Sequence, residues 1–355
     1  MLSWMRHLYP KNVYKSGVIA ILESPTPLGN ERLVGNIPFP LRIQKDLQKV
    51  EGSLQLLGQL EDHPQASVML EHILQNGGKR IRPALTLMAG SFYDYNPELL
   101  VTLASAVELL HTATLLHDDT VDGSNLRRGR PTVNSLWGSS SAVLLGDFLF
   151  SKSAEMVASL SNQGLTDLFA QTLMAISTAE LRQNLDAFHL KKTRDSYFHW
   201  IRGKTAATFI MATESGAILS GAPEEARIAL RTYGLHLGLS FQIVDDILDF
   251  TGEEKEMGKP VGSDLIHGAL TLPVILSMER EPEDNTVELL FESKDNLPYL
   301  KTVLDRIFSS PILQECYKIA NGHCDTARVA LRDLPESPMR QAFDELARFV
   351  VERKR

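Results

Sequence analysis

From about Leu41 to its C-terminus, this 355-residue chain repeats apolar residues three and four apart, and it nowhere alternates with period two for long. A period near 3.6 buries one face of a helix, whereas a half-buried strand needs a period of two. Helices are therefore expected over Asp46–Leu60, Ala66–Gln75, Pro97–Leu116, Ser141–Leu160, Asp167–Phe188, Ala226–Phe250 and Ile312–Leu331. Breakers separate most of them: Gly77-Gly78, Asn96-Pro97, Gly129 to Pro131, Gly221 to Pro223, Gly258 to Pro260 and Pro335. Asn76-Gly77 and Asn321-Gly322 lack flanking alternation and do not read as hairpins. With no internal repeat and no Ser/Gly linker, residues 41–355 read as one all-α domain.

Residues 1–40 differ. Pro10, Pro25, Pro27, Pro38 and Pro40 rule out a long helix there, and the segment reads as a loosely ordered extension. Arg6, Lys11 and Lys15 precede any acidic residue, so an organelle-targeting segment is the alternative. The chain is otherwise expected to be cytoplasmic, with mitochondrial placement if that segment is a signal. No uninterrupted apolar run reaches 18 residues, so no transmembrane helix is expected. Cys316 and Cys324 stand eight apart without CxxC spacing and read as reduced thiols in a helix. The net charge of −8 argues against a general nucleic-acid binder, because an acidic chain repels phosphate backbones.

One short pattern occurs twice. Residues 118–122 read Asp-Asp-Thr-Val-Asp and residues 245–249 read Asp-Asp-Ile-Leu-Asp. With 20 aspartates in the chain, chance supplies about 0.06 copies of DDxxD, so a pair is not a compositional accident. Positions i, i+1 and i+4 lie at about 0°, 100° and 40° around a helix, which places three carboxylates on one face. Like charges so spaced weaken a helix unless something binds them. Mg²⁺ takes hard oxygen ligands, typically one or two carboxylates plus substrate phosphates. Two such faces could hold several Mg²⁺ around one diphosphate.

A diphosphate also needs cations. Lys79, Arg80 and Arg82 follow a glycine pair at an expected helix start, Arg127, Arg128 and Arg130 follow the first acidic cluster, and Lys204-Thr205 lies mid-chain. Lys79 and Arg82, three apart, would share a helix face. Arg grips phosphate oxygens with paired bonds, and Lys acts as a point charge. His111 lies seven residues before Asp118, about 20° away on the wheel, and Gln242 lies three before Asp245, at about 60°. Basic sets beside acidic clusters in an acidic protein suit a small, metal-bridged anion better than a polyanion.

The segments GGKRIRP, LLHDDTVD, LRRGRPTVN, GDFLFSKS, GKTAA, FQIVDDILDF and GKPVGSDL follow one another in an order that resembles the trans (E) isoprenyl diphosphate synthases. The likeness is greatest to long-chain, octaprenyl to decaprenyl members, and it runs from about Leu41 to the C-terminal LPESPMRQAFDELARFVVERKR. It implies an isoprenoid synthase fold, a single helical bundle around a deep central cavity, usually as a homodimer. It implies head-to-tail transfer of an allylic prenyl diphosphate onto isopentenyl diphosphate, with about three Mg²⁺ per site. On that reading Asp118, Asp122 and Asp245 hold metal, with Asp119, Asp246 and Asp249 beside them. Arg127, Lys204, Thr205, Gln242 and Lys259 contact the allylic diphosphate, while Lys79, Arg82, His111 and Arg128 contact isopentenyl diphosphate. In Gly268-Ala269-Leu270-Thr271-Leu272-Pro273 the family often has lysine where this chain has Ala269. That puts one cation near the second cluster in doubt.

Product length depends on what lies before the first cluster. Thr114 and Leu110 fall at about −40° and −80° from Asp118 on the wheel and are expected in the cavity wall. Ala113 enters by resemblance alone: short-chain relatives have a bulky aromatic at that position, so the expected product is long. It would be a precursor of a quinone side chain, and through so hydrophobic a product the enzyme is expected to associate loosely with membranes. A geranylgeranyl product, or a subunit of a hetero-oligomeric synthase, is the alternative. A terpene cyclase would not repeat DDxxD, and a purely structural helical protein needs neither acidic face. Eroded aspartates would mark a non-catalytic subunit, and here both clusters are complete.

Overall fold

The computed structural model describes residues 39–58, 63–74, 78–252, 261–293 and 296–353. Almost all of the expected N-terminal extension lies outside them, as does Lys259. The first helices are α1 (Leu41–Leu57), α2 (Pro64–Leu74), α3 (Ile81–Gly90) and α4 (Pro97–Val121). Then come α5 (Val133–Trp137), α6 (Ser139–Ser159), α7 (Gln163–Leu185) and α8 (Arg194–Ile201). A single π-helical turn, Arg202–Ala206, leads into α9 (Ala207–Leu219) and α10 (Glu224–Thr251). The chain closes with α11 (Ser263–Ile266), α12 (Leu272–Arg280), α13 (Thr286–Glu292), α14 (Leu297–Ser309), α15 (Ile312–Ala330) and α16 (Pro338–Glu352).

Helix starts follow local chemistry. Asn96 accepts from the amides of Glu98 and Leu99, with Pro97 at the first helical position where its missing N–H is harmless. Thr193 and Ser196 cap α8 reciprocally, and Ser337 caps α16. The all-α expectation holds apart from one small ribbon: β1 (Leu126–Arg127) pairs antiparallel with β2 (Arg130–Pro131). Arg128 (φ 52°) and Gly129 (φ 73°) both take the left-handed conformation that a two-residue hairpin turn requires. Strands of two residues are too short to show alternation, so the periodicity missed them.

The middle of the bundle is α3, α4, α9 and α10. Most residues of α3 and α9 are buried, so neither helix keeps a broad solvent-facing side. α10 joins two cores. Its first half belongs to one core with residues of α1, α3, α4, α9 and α16, and its second half to another with residues of α8, α12, α14 and α15. The Tyr233 hydroxyl on α10 donates to the Phe343 carbonyl (2.7 Å), tying α16 to the centre. One helix, Pro97–Val121, is long and apolar enough by composition to cross a membrane, which the run-length criterion did not pick out. Two thirds of its apolar window (67%) is buried inside the protein, as a core helix should be. Cys316 and Cys324 are free and buried in α15, as expected.

Candidate active site

The site is built where α4, α10 and the π turn meet. A π turn inserts an extra residue into a helix and re-aims its side chains, often at functional positions. Here it aims two consecutive residues at the two acidic helices. The Lys204 ammonium reaches Glu180 (2.8 Å), Gln183 (2.7 Å) and Asp118 (3.9 Å). The Thr205 hydroxyl donates to the Gln242 amide oxygen (2.5 Å), whose amide nitrogen donates to Asp246 (2.8 Å). Two glycines permit the approach. A Cβ on Gly203 would meet the Ala175 carbonyl and Ala179 Cβ, each at 2.9 Å, and one on Gly238 would meet Ala206 Cα at 2.6 Å.

Within each acidic cluster the aspartates have separate surroundings, although the wheel placed them on one face. Asp119 is buried, and both of its oxygens accept from Arg127 Nε (2.8 Å). Asp246 is buried and accepts from the Tyr197 hydroxyl (2.5 Å). Asp249 is also buried and accepts from the Asp264 amide (3.2 Å). Asp122 caps the exposed end of α4, its amide bonded to the Asp118 carbonyl (2.8 Å). Asp245 is the most open of the second cluster, and its carboxylate meets Arg353 at 2.7 Å. Burial pushes the Asp118 carboxyl above its ordinary range, with Lys204 and Arg127 opposing and Asp122 adding to the shift. Burial, and then Asp118, likewise raises Glu180, while Lys204 opposes.

The second cationic group gathers at the start of α3. Arg80 is left-handed (φ 48°) and buried, with its guanidinium on Glu51 and Glu108. That turn breaks the helical spacing expected between Lys79 and Arg82. Lys79 instead sits over the Phe349 ring (5.9 Å), and Arg82 over Phe209 (4.5 Å). Arg82 donates to Thr208 (2.8 Å) and meets His111 Nε2 at 3.1 Å. Burial and the neighbouring arginines push His111 well below its usual pKa, so the neutral ring accepts from Arg82. Burial lowers Arg82 to about 10, against the pull of Glu108 and Asp245. A Cβ on Gly78 would lie 3.4 Å from the Arg128 guanidinium and 3.6 Å from Glu108, so Arg128 belongs to the same group.

Leu110 and Ala113 are fully buried on α4, and Thr114 is half-buried with its hydroxyl on the His111 carbonyl (2.7 Å). Sequence reasoning missed Glu180, Gln183, Tyr197, Glu108 and Arg353. None lies in a dense motif, and only the fold brings them to the site.

These features could together hold a divalent cation and a diphosphate. The carboxylates of Asp118, Asp122 and Asp245 are hard oxygen donors. Burial raises both Asp118 and Glu180, their carboxylate neighbours add to the shift, and a divalent cation would relieve it. Among the described residues no three His, Cys, Asp or Glu side chains converge on one metal position. Mg²⁺ takes part of its shell from phosphate oxygens and water, so one or two of these carboxylates would suffice for each ion.

Residues 63–305 match the family model for polyprenyl synthetases. The chain belongs to the polyprenyl synthetase family. As a member it is a prenyltransferase, of a family whose catalysis depends on Mg²⁺ and whose substrates are isopentenyl diphosphate and an allylic diphosphate. It is 36% identical over 311 residues to heptaprenyl diphosphate synthase component 2 of Geobacillus stearothermophilus, covering 88% of this chain and 97% of that one. Its structure is similar to a decaprenyl diphosphate synthase from Rhodobacter capsulatus (TM-score 0.82, 40% identity), with coverage of 88% and 98%. It is also similar to a polyprenyl synthase from Caulobacter crescentus CB15 complexed with calcium and isoprenyl diphosphate. There the TM-score is 0.83 and the identity 33%, over 92% of this chain and 98% of that one.

Proposed function

We propose that this polyprenyl synthetase condenses isopentenyl diphosphate with an allylic diphosphate, head to tail, to give a long-chain all-trans polyprenyl diphosphate. The observation that carries the assignment of roles is the pair Lys204-Thr205, which reaches from one π turn to both acidic helices. Asp118, Asp122 and Asp245 would hold Mg²⁺, about three ions per site, with the substrate. Metal bound there would supply positive charge for the diphosphate that leaves when the allylic C–O bond breaks. Arg127, Lys204, Thr205, Gln242 and Lys259 grip the same diphosphate. Asp119 and Asp246 act through their partners, fixing Arg127 and Gln242.

Lys79, Arg82, Arg128 and the neutral His111 hold isopentenyl diphosphate so that its double bond faces the allylic carbocation. The released diphosphate then takes the proton, since the neutral His111 ring already accepts from Arg82. Apolar side chains on α4 exclude water that would quench the cation. The small Ala113 leaves room for a growing tail, and the heptaprenyl and decaprenyl names of the relatives support a long product.

An exposed apolar stripe on α7 supports a homodimer. Met174, Leu181 and Leu185, 65–71% exposed, fall within about 40° of one another on the wheel. The two buried reduced thiols suit a cytosolic enzyme. A second reading, one subunit of a two-component synthase, is supported by the word "component" in the Geobacillus relative's name. Purified protein incubated with Mg²⁺, isopentenyl diphosphate and farnesyl or geranylgeranyl diphosphate tests both. A product ladder well above twenty carbons is expected. Products of twenty carbons or fewer overturn the length assignment, and no condensation by a folded protein moves the weight to the two-component reading.

A further inference from the structure

Beside the α7–α8 connection lies a cleft that the prenyl-transfer residues do not use. Arg182, Gln183, Asp186, Lys192, Tyr197 and Trp200 line a concavity of about 140 Å³. It shares Asp186 and Lys192 with a wider, open cleft of about 560 Å³ bordered by Phe188, Leu190 and Lys191. Three permanent cations thus face one carboxylate. Neither Arg182 nor Lys192 makes an ion pair to a described residue. Lys192 is half-buried with its ammonium 5.6 Å from the centre of the Trp200 ring. Burial lowers its pKa, and Asp186 opposes this. A half-buried ammonium without a close counter-ion is stabilised by an incoming anion.

The floor of this concavity is the back of the catalytic site. Trp200 Nε1 donates to the Gln183 oxygen (3.2 Å) that also accepts from Lys204 (2.7 Å), and Tyr197 holds Asp246. Arg182, Gln183 and Asp186 lie about 80–180° around α7 from the stripe of Met174, Leu181 and Leu185. A dimer built on that stripe therefore leaves the cleft open.

We propose that this cleft is a second anion site that binds a diphosphate group, separate from the acidic helices and backed by their supporting residues. The choice of diphosphate rests on the prenyl-transfer reading; the cationic cleft does not. Two sources share this chemistry: inorganic diphosphate released by turnover, and the headgroup of a prenyl diphosphate whose tail lies along Phe188 and Leu190.

The chain has three tryptophans, so Trp4→Phe with Trp137→Phe leaves Trp200 as the only reporter. The full chain, in EDTA, is titrated with inorganic diphosphate and separately with geranyl diphosphate while Trp200 emission is followed. A saturable change is expected, its midpoint rising at least tenfold in Lys192→Ala and in Arg182→Ala. It should stay within twofold in Arg127→Ala, which weakens the allylic diphosphate site, and be retained in Lys192→Arg. Equal midpoints for the two ligands assign the site to the free anion, and a tighter geranyl diphosphate assigns it to the prenyl headgroup. The proposal is overturned if both cleft variants, folded by circular dichroism, titrate like their parent, or if Arg127→Ala abolishes the response. Neither metal nor turnover is involved, so a negative result here leaves prenyl transfer standing, and a failed product assay leaves this titration readable.

Discussion

Arg353, at the end of α16, places a guanidinium nitrogen 2.7 Å from a carboxylate oxygen of Asp245. The same nitrogen donates to the Phe241 carbonyl (2.7 Å), and the guanidinium lies 3.8 Å over the Phe241 ring. The last helix of the chain therefore delivers a buried cation to the most open aspartate of the second cluster. A divalent ion at Asp245 must compete with it. Arg353→Met should lower the half-saturating Mg²⁺ concentration by about fivefold, equivalent to ~1 kcal/mol. A Mg²⁺ titration of activity, checked by the Mg²⁺ dependence of thermal melting, measures this. An unchanged midpoint in both would show that Arg353 does not compete.

Lys204 stands among Asp118, Glu180 and Gln183. Its removal leaves two half-buried carboxyls without their shared cation and takes a cation from the leaving group. Lys204→Met should reduce kcat/KM by about 10²-fold or more and lower the melting temperature. Adding Glu180→Gln should recover the melting temperature but not the activity. Recovery of both would mean that Lys204 is structural only.

Ala113 is fully buried on α4, five residues before Asp118. Ala113→Phe should shift the product ladder to shorter chains while leaving the first condensation measurable. Mass analysis of extracted products decides it. An unchanged distribution from a folded variant would place the floor of the chain channel elsewhere.

Asp284 accepts from Arg306 (2.7 Å) and from Thr286, tying the loop before α13 to α14. Its Arg306 partner, with the Thr286 bonds, lowers its carboxyl to about 2 from the usual 3.8. A depressed carboxylate pKa contributes stability that is complete above about pH 4 and lost as pH falls through about 2. Arg306→Met should therefore lower the melting temperature at pH 7 by about 2 °C, for ~1 kcal/mol. The difference should close near pH 2. A gap that persists there would assign the loss to packing of the half-buried Arg306 side chain rather than to its ion pairs with Asp284 and Glu281.

The helical period, the repeated DDxxD and the three cationic sets are local patterns, and each was legible in the chain. A buried helix face recurs every 3.6 residues whatever it packs against, and carboxylates at i and i+4 share a face by geometry alone. The same local logic failed where the backbone leaves the helical path. Arg80 turns left-handed and parts Lys79 from Arg82. Arg128-Gly129 makes a two-residue hairpin within the cationic loop. The π turn rotates Lys204 and Thr205 toward opposite walls.

Glu180, Tyr197, Glu108 and Arg353 were illegible for a different reason. Each is a single polar residue in an ordinary helix, and its partner lies between 24 and 108 positions away in sequence. No periodicity relates Arg353 to Asp245 or Tyr197 to Asp246; only the packing of α16 and α8 against α10 does. The sequence by itself determined which residues carry the carboxylates and cations that the proposed metal and diphosphate site needs. The tertiary structure decided which aspartates stay open and which are held by an arginine, a glutamine or a tyrosine, because burial and long-range hydrogen bonds separate side chains of identical chemistry.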